Sequence, residues 1–196
     1  MIFDRMEECT ETEVQRMLPL VSDQRREQAL KYRHTFGQFC CLKSWLMLIE
    51  GIRGYGISES EDFKYNEHGK PYWENGPYFS ISHCKDAIAV VIDNESVGID
   101  IEAIRHTDEE LVKRIMNEEE VRLVNETTDE KERNRAFIRL WTRKEAIVKA
   151  QGIGIESFEQ LQTVLNNEEW NLKTIEKNNY IYSIAYGKLH CFSAKV

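Results

Sequence analysis

Two acidic side chains in the hexapeptide VGIDIE, residues 97–102, are the first candidates for chemistry in this sequence. Apolar residues alternate with Gly98, Asp100 and Glu102, and in a β-strand this alternation sends both carboxylates to the same face. Two carboxylates beside a glycine that permits close approach suit Mg²⁺, a hard cation that keeps some of its waters and binds substrate phosphates. The hexapeptide alone leaves open a simpler alternative, a half-buried strand with a solvated acidic face.

A second candidate lies in FIRLWTRKEAIVKAQGIGI, residues 137–155, which has helical periodicity. Trp141, Glu145 and Lys149 are four residues apart and therefore stack on successive turns, so that Glu145 and Lys149 can point toward one site. The alternative is an ordinary surface pair of Glu and Lys, worth only about 0.2–0.5 kcal/mol. The GIG triplet follows this helix, whereas a phosphate-binding loop precedes one, so we assign it no nucleotide.

The third candidate segment is HGKPYW followed by YFSISHC, which brings Lys70, Ser80, Ser82 and His83 close together in the sequence. A Ser-His pair is found in serine hydrolases, but neither a nucleophile-elbow pattern nor an obvious acid partner accompanies this one. Contacts with phosphate suit these hydroxyl, imidazole and ammonium donors better.

Helices precede strands in the first half of the chain. Thr12 and Ser22 are each expected to cap a short helix, and apolar residues at helical spacing predict a third helix that includes residues 39–49. From about residue 62 the pattern changes to short strand-like runs separated by Asn, Gly and Pro. Two of these runs, AIAVVI and VGIDIE, are expected to pair across a turn at residues 93–94.

The second half repeats this order. Acidic helical stretches are predicted over about 108–125 and a long helix over about 129–150. Near the carboxyl end, Gly187 and Lys188 form the turn signal of a hairpin between YIYSIAY and LHCFSAK. Helices and strands in this arrangement predict an α+β fold with mostly antiparallel strands.

Composition restricts the class of protein. The 196 residues are 41% hydrophobic, enough to bury one sizeable core or two small ones. A formal net charge of −8 argues against broad nucleic-acid binding, since neutralising phosphates needs a basic surface. The acidic amino terminus and the lack of a long apolar run indicate neither a secretory signal nor a membrane span, and five cysteines without a CxxC pair fit a reducing compartment. We therefore expect a cytoplasmic protein that binds neither nucleic acid nor membrane.

Four motifs in a fixed order resemble those of a known family. GKP, FSISH, VGIDIE and WTRKEAIVK, in this order and at roughly this spacing, look like the Sfp-type 4′-phosphopantetheinyl transferase family. The resemblance spans about Gly69 to Gly154 and extends more weakly to RREQALKYRH, which is similar to the family's basic helix. It implies a pseudo-dimer of two similar α+β subdomains, residues 1–96 and 97–196, each with helices packed on a mostly antiparallel sheet, and coenzyme A in the cleft between them.

The resemblance also implies roles for individual residues. Asp100, Glu102 and Glu145 would hold Mg²⁺ together with the coenzyme A pyrophosphate, and Lys149 would contact the phosphates. A further set of side chains would hold the coenzyme, namely Arg25 at its 3′-phosphate, His83 near its phosphates, Lys70 and Ser82.

Three positions depart from the family's pattern. Gln28 and Cys40 stand where related proteins often carry Lys or Arg for nucleotide phosphates, so the 3′-phosphate is expected to bind differently. Ile101 stands between the metal carboxylates, where some members have a polar or acidic side chain. A water would have to fill that coordination position, which Mg²⁺ tolerates.

The activity implied by the resemblance is transfer of 4′-phosphopantetheine from coenzyme A to a serine of an apo acyl or peptidyl carrier protein, with release of 3′,5′-ADP. Lys149 would stabilise the leaving phosphate, and Glu145 is our candidate base, although a free glutamate has a pKa of about 4.3 and is only a weak base at neutral pH. Two alternatives stay open: a Mg²⁺-dependent phosphohydrolase acting on a nucleotide or coenzyme A, and a non-catalytic module that binds coenzyme A or a carrier protein.

Charge on the long predicted helix bears on the protein partner. Residues 129–149 contain seven basic and four acidic side chains. Carrier proteins of this type are typically acidic, so the outer face of this helix is expected to steer one toward the site, unless its charges are simply solvated or paired. A chain with two fused subdomains is expected to act as a monomer.

Overall fold

The computed structural model describes residues 1–55, 64–74, 76–155, 157–166 and 169–187. The elements of the first half are β1 (Ile2–Phe3), α1 (Glu11–Met17), α2 (Asp23–Leu30), α3 (Thr35–Ile52), β2 (Lys64–Tyr65), β3 (Pro71–Tyr72), β4 (Tyr78–Cys84) and β5 (Ala87–Asp93). Those of the second half are β6 (Val97–Ala103), α4 (Glu109–Ile115), α5 (Glu118–Val124), α6 (Glu130–Gln151), α7 (Phe158–Thr163), β7 (Trp170–Glu176) and β8 (Tyr180–Gly187). Helices combined with antiparallel strands confirm the predicted α+β class.

The ends of the helices follow local capping signals. Ser22 caps α2 as predicted, whereas the cap of α1 is Thr10 and not Thr12, so that this helix begins earlier than expected. Helix α6 begins after its cap Asp129 and ends at Gly152, whose φ of 75° is the left-handed conformation that favours glycine. The boundaries predicted for the long helix are therefore confirmed within two residues.

The strands form two three-stranded sheets, ordered β1-β5-β4 and β6-β8-β7, and a separate two-stranded hairpin of β2 and β3. Strand β5 pairs with β4 and β1, while β6 pairs with β8. The predicted pairing of AIAVVI with VGIDIE is therefore wrong. The turn after Asp93 carries the chain from one sheet to the other.

The two sheets pack face to face between two layers of helices. Their facing sides meet in one buried cluster, made of Cys84, Ala87, Ala89, Ile99, Ile101, Ala103 and Tyr180. The outer side of the first sheet packs on α3, against which α1 and α2 pack in turn, and the outer side of the second sheet packs on α6. Strands β5 and β6 do not pair because the apolar side chains of β6 cover the face of the first sheet instead of extending its edge.

Each half of the chain contributes its own helices and its own three-stranded sheet. The structural likeness of the two halves, residues 1–96 and 97–196, stays a prediction. Gly187 is the last residue of β8, whereas Lys188 and the segment LHCFSAK lie outside the described residues, so the hairpin predicted there stays a prediction. Within the described ranges, no helix combines the length and the apolar character that crossing a membrane requires.

A buried ion pair joins α6 to α5 and α7. The Lys144 side chain has no exposed surface, and its Nζ lies 2.8 Å from Oε2 of Glu120 and donates to the carbonyl oxygen of Leu161 at 2.5 Å. Glu120 also accepts a hydrogen bond from the backbone N–H of Asn117, the cap of α5. One lysine thereby connects three helices of the second half.

The ion pairs of α6 correct the expectation of a basic outer face. Five of the seven basic side chains in residues 129–149 have acidic partners: Arg133 pairs with Glu109, Arg135 and Arg139 with Glu176, Lys144 with Glu120 and Lys149 with Asp100. Counting charges along one helix misses these partners, which come from other elements. The excess of basic residues therefore does not predict steering of an acidic protein.

Replacing Lys144 by methionine is expected to lower the free energy of unfolding by about 3–5 kcal/mol, because the change leaves the buried carboxylate of Glu120 without its counter-ion. Urea unfolding followed by circular dichroism measures this loss. The double change Lys144→Met with Glu120→Leu should recover part of it. Lys131→Met, at an exposed position of the same helix, should change stability by less than about 0.5 kcal/mol. A loss below about 1 kcal/mol for Lys144→Met would contradict the role of the pair.

Candidate functional site

Helix α6 lies directly on the face of β6 that carries Gly98, Asp100 and Glu102. A β-carbon at Gly98 would lie 2.0 Å from the carbonyl oxygen of Ala146 and 2.4 Å from the backbone nitrogen of Ala150, closer than non-bonded atoms approach. Only glycine permits this contact. The close approach predicted at Gly98 is made by the backbone of α6, so no cation can lie directly against this glycine. The same approach brings side chains of α6 over the two acidic residues of β6.

The carboxylate of Asp100 is buried, with 3% of the residue exposed. Its Oδ1 accepts hydrogen bonds from the hydroxyl of Ser82 at 2.9 Å and from the ammonium of Lys149 at 2.6 Å. Its Oδ2 is also buried but has no hydrogen-bond partner among the residues that the structure describes, so it lacks the donor or cation that buried polar atoms usually have. The alternative of a solvated acidic strand face is therefore wrong, as is that of a simple surface pair between Glu145 and Lys149.

Glu145 and Lys149 lie one turn apart on α6, and both face the same cleft. Burial, assisted by the carboxylates of Asp100 and Glu102, raises the pKa of Glu145 to about 7, although the ammonium of Lys149 opposes this shift. The expectation of an ordinary, weakly basic glutamate is therefore wrong. Near neutral pH this carboxyl group is poised between its acid and base forms, which suits a group that exchanges protons in catalysis.

Glu102 is the third carboxylate of this group. Its Oε1 lies 3.4 Å from Nε1 of Trp141, whose ring stacks on Phe137 with the centroids 6.4 Å apart. Burial and the charge of Asp100 raise the pKa of Glu102. Trp141, which the helical spacing places on the same face as Glu145 and Lys149, thus orients one of the carboxylates of the site.

The three carboxylates suit a divalent cation without forming a finished site for one. The charge of Asp100 raises the pKa of both Glu102 and Glu145, so the three lie within electrostatic reach of one another. Among the residues that the structure describes, no group of three or more acidic, His or Cys side chains is arranged so that it could hold a metal ion as it stands. Oxygen donors, the unpartnered Oδ2 of Asp100 and the mutual repulsion all favour Mg²⁺. The chemistry of the three side chains therefore fits the ion although their arrangement does not yet form its site, and binding of Mg²⁺ stays a prediction.

Ser80 and Ser82 connect β4 to β6, although the two strands belong to different sheets. The hydroxyl of Ser80 accepts a hydrogen bond from the N–H of Ile99 at 3.2 Å, and that of Ser82 accepts one from the N–H of Ile101 at 3.4 Å while it donates to Asp100. These side-chain hydrogen bonds link two strands that are not paired through main-chain hydrogen bonds. Ser80 was not predicted to have this role, and its only signal was the alternation of serines along β4.

His83 lies next to the site but at the protein surface. Its ring meets Phe36 edge-on, with the centroids 5.9 Å apart. The imidazole is exposed on one side, and burial of the other side lowers its pKa, to which the ammonium of Lys149 adds. The hydroxyl of Ser82 donates to Asp100 rather than to His83, so these two residues are not arranged as the nucleophile and base of a serine hydrolase.

A cleft of about 410 Å³ opens between the β2–β3 hairpin, β4 and the carboxyl end of α6. Lys70, Glu145 and Lys149 line it together with the apolar side chains of Phe79, Ile81, Val148 and Ile155. Small-molecule sites commonly have volumes of about 300–1,000 Å³ and this mixture of apolar walls with a few polar groups. Both halves of the chain therefore contribute to one cleft of ligand size.

The ammonium of Lys70 binds main-chain carbonyl groups at the end of α6 rather than lying free in the cleft. Its ammonium donates to the carbonyl oxygens of Lys149 at 2.6 Å and Ala150 at 3.4 Å, and burial lowers its pKa to about 8. Asn66 and Ser96 also donate to carbonyls at this end of the helix. Neither was predicted as a site residue, because Asn in a turn and Ser before a strand are common in any protein.

Arg25 and the two positions that depart from the family's pattern, Gln28 and Cys40, have other surroundings in the structure. The guanidinium carbon of Arg25 lies over the ring of Trp45, 4.3 Å from the ring centroid. Arg25 is not among the described residues that line the cleft. Gln28 donates a hydrogen bond to the hydroxyl of Tyr65. Cys40 is fully buried in the core of the first half, so it cannot take the place of a phosphate-binding lysine.

Comparison with known proteins gives results that agree with this site. A family model described as the 4′-phosphopantetheinyl transferase superfamily matches residues 96–191. The chain is 32% identical over 142 residues to the 4′-phosphopantetheinyl transferase gsp of Aneurinibacillus migulanus, a match that covers 68% of this chain and 57% of that protein. It is 27% identical over 150 residues to the 4′-phosphopantetheinyl transferase Sfp of Bacillus subtilis, covering 74% and 66%. It is 36% identical over 115 residues to the 4′-phosphopantetheinyl transferase HetI of Nostoc sp., covering 55% and 48%.

The family model covers most of the part of the chain that carries the candidate site. The chain spans about half to two thirds of the length of these relatives. The family model extends from the start of β6 beyond β8 and includes Asp100, Glu102, Glu145 and Lys149. As its four motifs predict, the chain belongs to the 4′-phosphopantetheinyl transferase superfamily and is similar to its Sfp-type members.

Proposed function

We propose that this protein transfers the 4′-phosphopantetheine group of coenzyme A to a serine of an apo acyl or peptidyl carrier protein and releases 3′,5′-ADP. The observation that carries this proposal is the convergence of Asp100, Glu145 and Lys149 beside a cleft between the two halves of the chain. An ammonium for phosphate, a carboxyl group with a pKa of about 7 and an acidic group for a cation are the parts that phosphoryl transfer to a hydroxyl needs. The names of the relatives support the same activity.

Asp100, Glu102 and Glu145 are the proposed Mg²⁺ ligands. Bound there, the ion would neutralise charge on the coenzyme A pyrophosphate. Lys149 now pairs with Asp100, but 29% of its side chain is exposed. We expect its ammonium to exchange this carboxylate for a coenzyme phosphate, where it would stabilise the charge that develops on the leaving 3′,5′-ADP.

Glu145 is the proposed base. As the serine oxygen forms its bond to the β-phosphorus and the bond to the α-phosphate oxygen breaks, the hydroxyl proton must leave the serine. A carboxylate whose pKa is about 7 accepts that proton more readily than an ordinary glutamate would. Positioning and charge neutralisation still contribute more to the rate than proton transfer does in reactions of this kind.

The proposed coenzyme contacts differ in how directly they can act. His83 is exposed and close to Lys149, so it is available to a phosphate. Ser82 is buried, and we expect it to act by orienting Asp100 and Lys149. Arg25 stacks on Trp45 and donates to the sulfur of Cys41 at 3.7 Å, and its guanidinium is the proposed donor to the 3′-phosphate.

Intact-mass spectrometry tests the proposal most directly. Several apo carrier proteins would each be incubated with coenzyme A, Mg²⁺ and this protein. A mass increase of one phosphopantetheine, located on a serine and absent without the enzyme, supports transfer and identifies the partner. Release of 3′,5′-ADP without a modified protein would instead indicate a phosphohydrolase, and binding of coenzyme A or a carrier without turnover would indicate a binding module.

The Mg²⁺ requirement is expected to depend on pH. A protonated Glu145 cannot bind a cation, so protons compete with Mg²⁺ below the pKa of about 7. The half-saturating Mg²⁺ concentration, measured from transfer rates, should rise by up to about tenfold for each pH unit below that value. Glu145→Gln cannot titrate and should flatten this dependence, whereas Glu118→Gln, whose side chain is 98% exposed, should not. A requirement that stays constant across this range would argue against Glu145 as a ligand.

We also propose that the protein acts as a monomer in the cytoplasm. The four cysteines in the described residues are free thiols, which agrees with a reducing compartment. Analytical ultracentrifugation of the active protein would test the monomer.

A further inference from the structure

The last turn of α6 is held by side chains that come from outside the helix. The final carbonyl groups of an α-helix have no partners within it, so they need other donors. Here Lys70 donates to the carbonyl oxygens of Lys149 and Ala150, and Ser96 donates to that of Ala150 at 2.5 Å. Asn66 donates to the carbonyl oxygen of Gly152, the residue at which the helix ends, at 2.8 Å.

We propose that Lys70 is a positioning residue that acts through Lys149, an inference that rests on the proposed transferase function. Lys149 is held at both of its ends. Its carbonyl oxygen accepts from Lys70 at 2.6 Å, while its own ammonium lies 2.6 Å from Oδ1 of Asp100 and 3.0 Å from the hydroxyl of Ser82. A side chain with four rotatable bonds reaches a fixed point reliably only when its backbone is fixed as well.

The turn that carries Lys70 is built to hold it in this place. Oδ1 of Asn66 accepts hydrogen bonds from the backbone N–H groups of His68 and Lys70, while the amide of the same side chain donates to Gly152. One asparagine therefore shapes the turn between β2 and β3 and attaches it to the end of α6. The aliphatic part of the Lys70 side chain packs against this end of α6, because a β-carbon added at Gly152 would lie 3.2 Å from Cδ of Lys70.

Charge favours this role over direct contact with the coenzyme. The carboxyl end of an α-helix carries partial negative charge, so an ammonium placed there stabilises the helix end. Two of the three donors of Lys70 are directed at carbonyl groups. To bind a coenzyme phosphate with more than its one remaining donor, the ammonium would have to leave a carbonyl group of the segment that carries Lys149. Holding α6 and holding the coenzyme are therefore competing uses of one ammonium.

Steady-state kinetics separate the two uses. If Lys70 positions Lys149, Lys70→Met should lower kcat by about 10–100-fold and change KM for coenzyme A by less than about threefold. Lys70→Arg keeps the charge and the donors and should restore much of kcat. Asn66→Ala should change the same parameter by a smaller factor. Lys64→Met, an exposed lysine on the same hairpin, is the matched control and should behave like the unmodified protein. A tenfold or larger rise in KM with an unchanged kcat would overturn the proposal in favour of direct coenzyme binding.

A double-mutant cycle tests whether Lys70 acts through Lys149. In a Lys149→Met background, Lys70→Met should cost little further kcat, because the residue that it positions is already absent. Additive losses would show that Lys70 has an independent role and would overturn the proposal.

Amide hydrogen exchange provides a test that does not depend on activity. The N–H of Gly152, which donates to the carbonyl oxygen of Val148, should exchange at least about fivefold faster in Lys70→Met than in Lys64→Met. Unchanged exchange would overturn the proposal. If the unmodified protein transfers nothing to any carrier, the proposed function fails, while the exchange measurement still decides whether Lys70 holds the end of α6.

Discussion

The Asp100→Asn protein is expected to fold and to lose carrier modification by about 10²–10³-fold or more. Asparagine has nearly the shape of aspartate, so the hydrogen bond from Ser82 to Oδ1 can persist. The change removes the charge that holds the ammonium of Lys149 at 2.6 Å, and it removes one of the three carboxylates beside the cleft. Because shape is kept while charge is lost, this variant isolates the electrostatic role of residue 100.

Initial rates from intact-mass spectrometry, measured over a range of Mg²⁺ concentrations, check this prediction. Circular dichroism and thermal unfolding establish that the variant is folded. Asp23→Asn is the matched control, since it makes the same chemical change on α2 where 89% of the side chain is exposed, and it should keep the full rate. Near-normal transfer by Asp100→Asn at moderate Mg²⁺ would remove Asp100 from the site.

Local periodicity predicts the part of the site that β6 and α6 supply. Alternation in VGIDIE places Asp100 and Glu102 on one face of a strand, and four-residue spacing places Glu145 and Lys149 on one face of a helix. Both periods are properties of the backbone and do not depend on the rest of the fold. The structure confirms these faces and brings them together, since the face of β6 with the two acids is the one on which α6 lies.

Pairing between strands depends on the whole fold, and there the prediction failed. Turn residues after Asp93 indicate that the chain reverses, but they do not distinguish two strands that pair edge to edge from two that stack in different sheets. The apolar residues of β6 that suggested a partner strand do meet β5, but across the space between the sheets. Edge-to-edge pairing and face-to-face stacking both bury alternate residues of a strand, so the pattern of apolar residues does not distinguish them.

The chemical state of the site residues also depends on distant parts of the chain. Glu145 has a pKa of about 7 because it is buried and lies near two carboxylates of β6. The local sequence WTRKEA indicates neither the burial nor the neighbouring carboxylates. Lys144 is a second example of a side chain whose partner the local sequence does not predict. The next residue, Glu145, faces the cleft, whereas the ammonium of Lys144 is buried against Glu120. Sequence patterns indicate the direction of a side chain better than they indicate its partner.

Gly98→Ala is expected to lower the free energy of unfolding by about 3 kcal/mol or more, at or above the upper end of the usual cost of overpacking. The added β-carbon would meet main-chain atoms of Ala146 and Ala150 at 2.0 and 2.4 Å. These atoms belong to a helix and cannot rotate away, as the end of a flexible side chain can. The helix α6 must therefore move outward from β6 or the two elements must separate.

Transfer by the folded Gly98→Ala protein is expected to fall as well, by about 10²-fold, because Glu145 and Lys149 move with the helix while Asp100 stays on the strand. Urea unfolding measures stability, and transfer rates measured far below the unfolding transition refer to folded protein alone. Gly54→Ala is the matched control, since a β-carbon there meets no atom of the described residues within 4 Å, and it should change neither quantity appreciably. If Gly98→Ala lost stability but kept its rate, the positions of Glu145 and Lys149 relative to Asp100 would not limit the reaction. Unchanged stability would show that α6 and β6 lie further apart in solution than the structure places them.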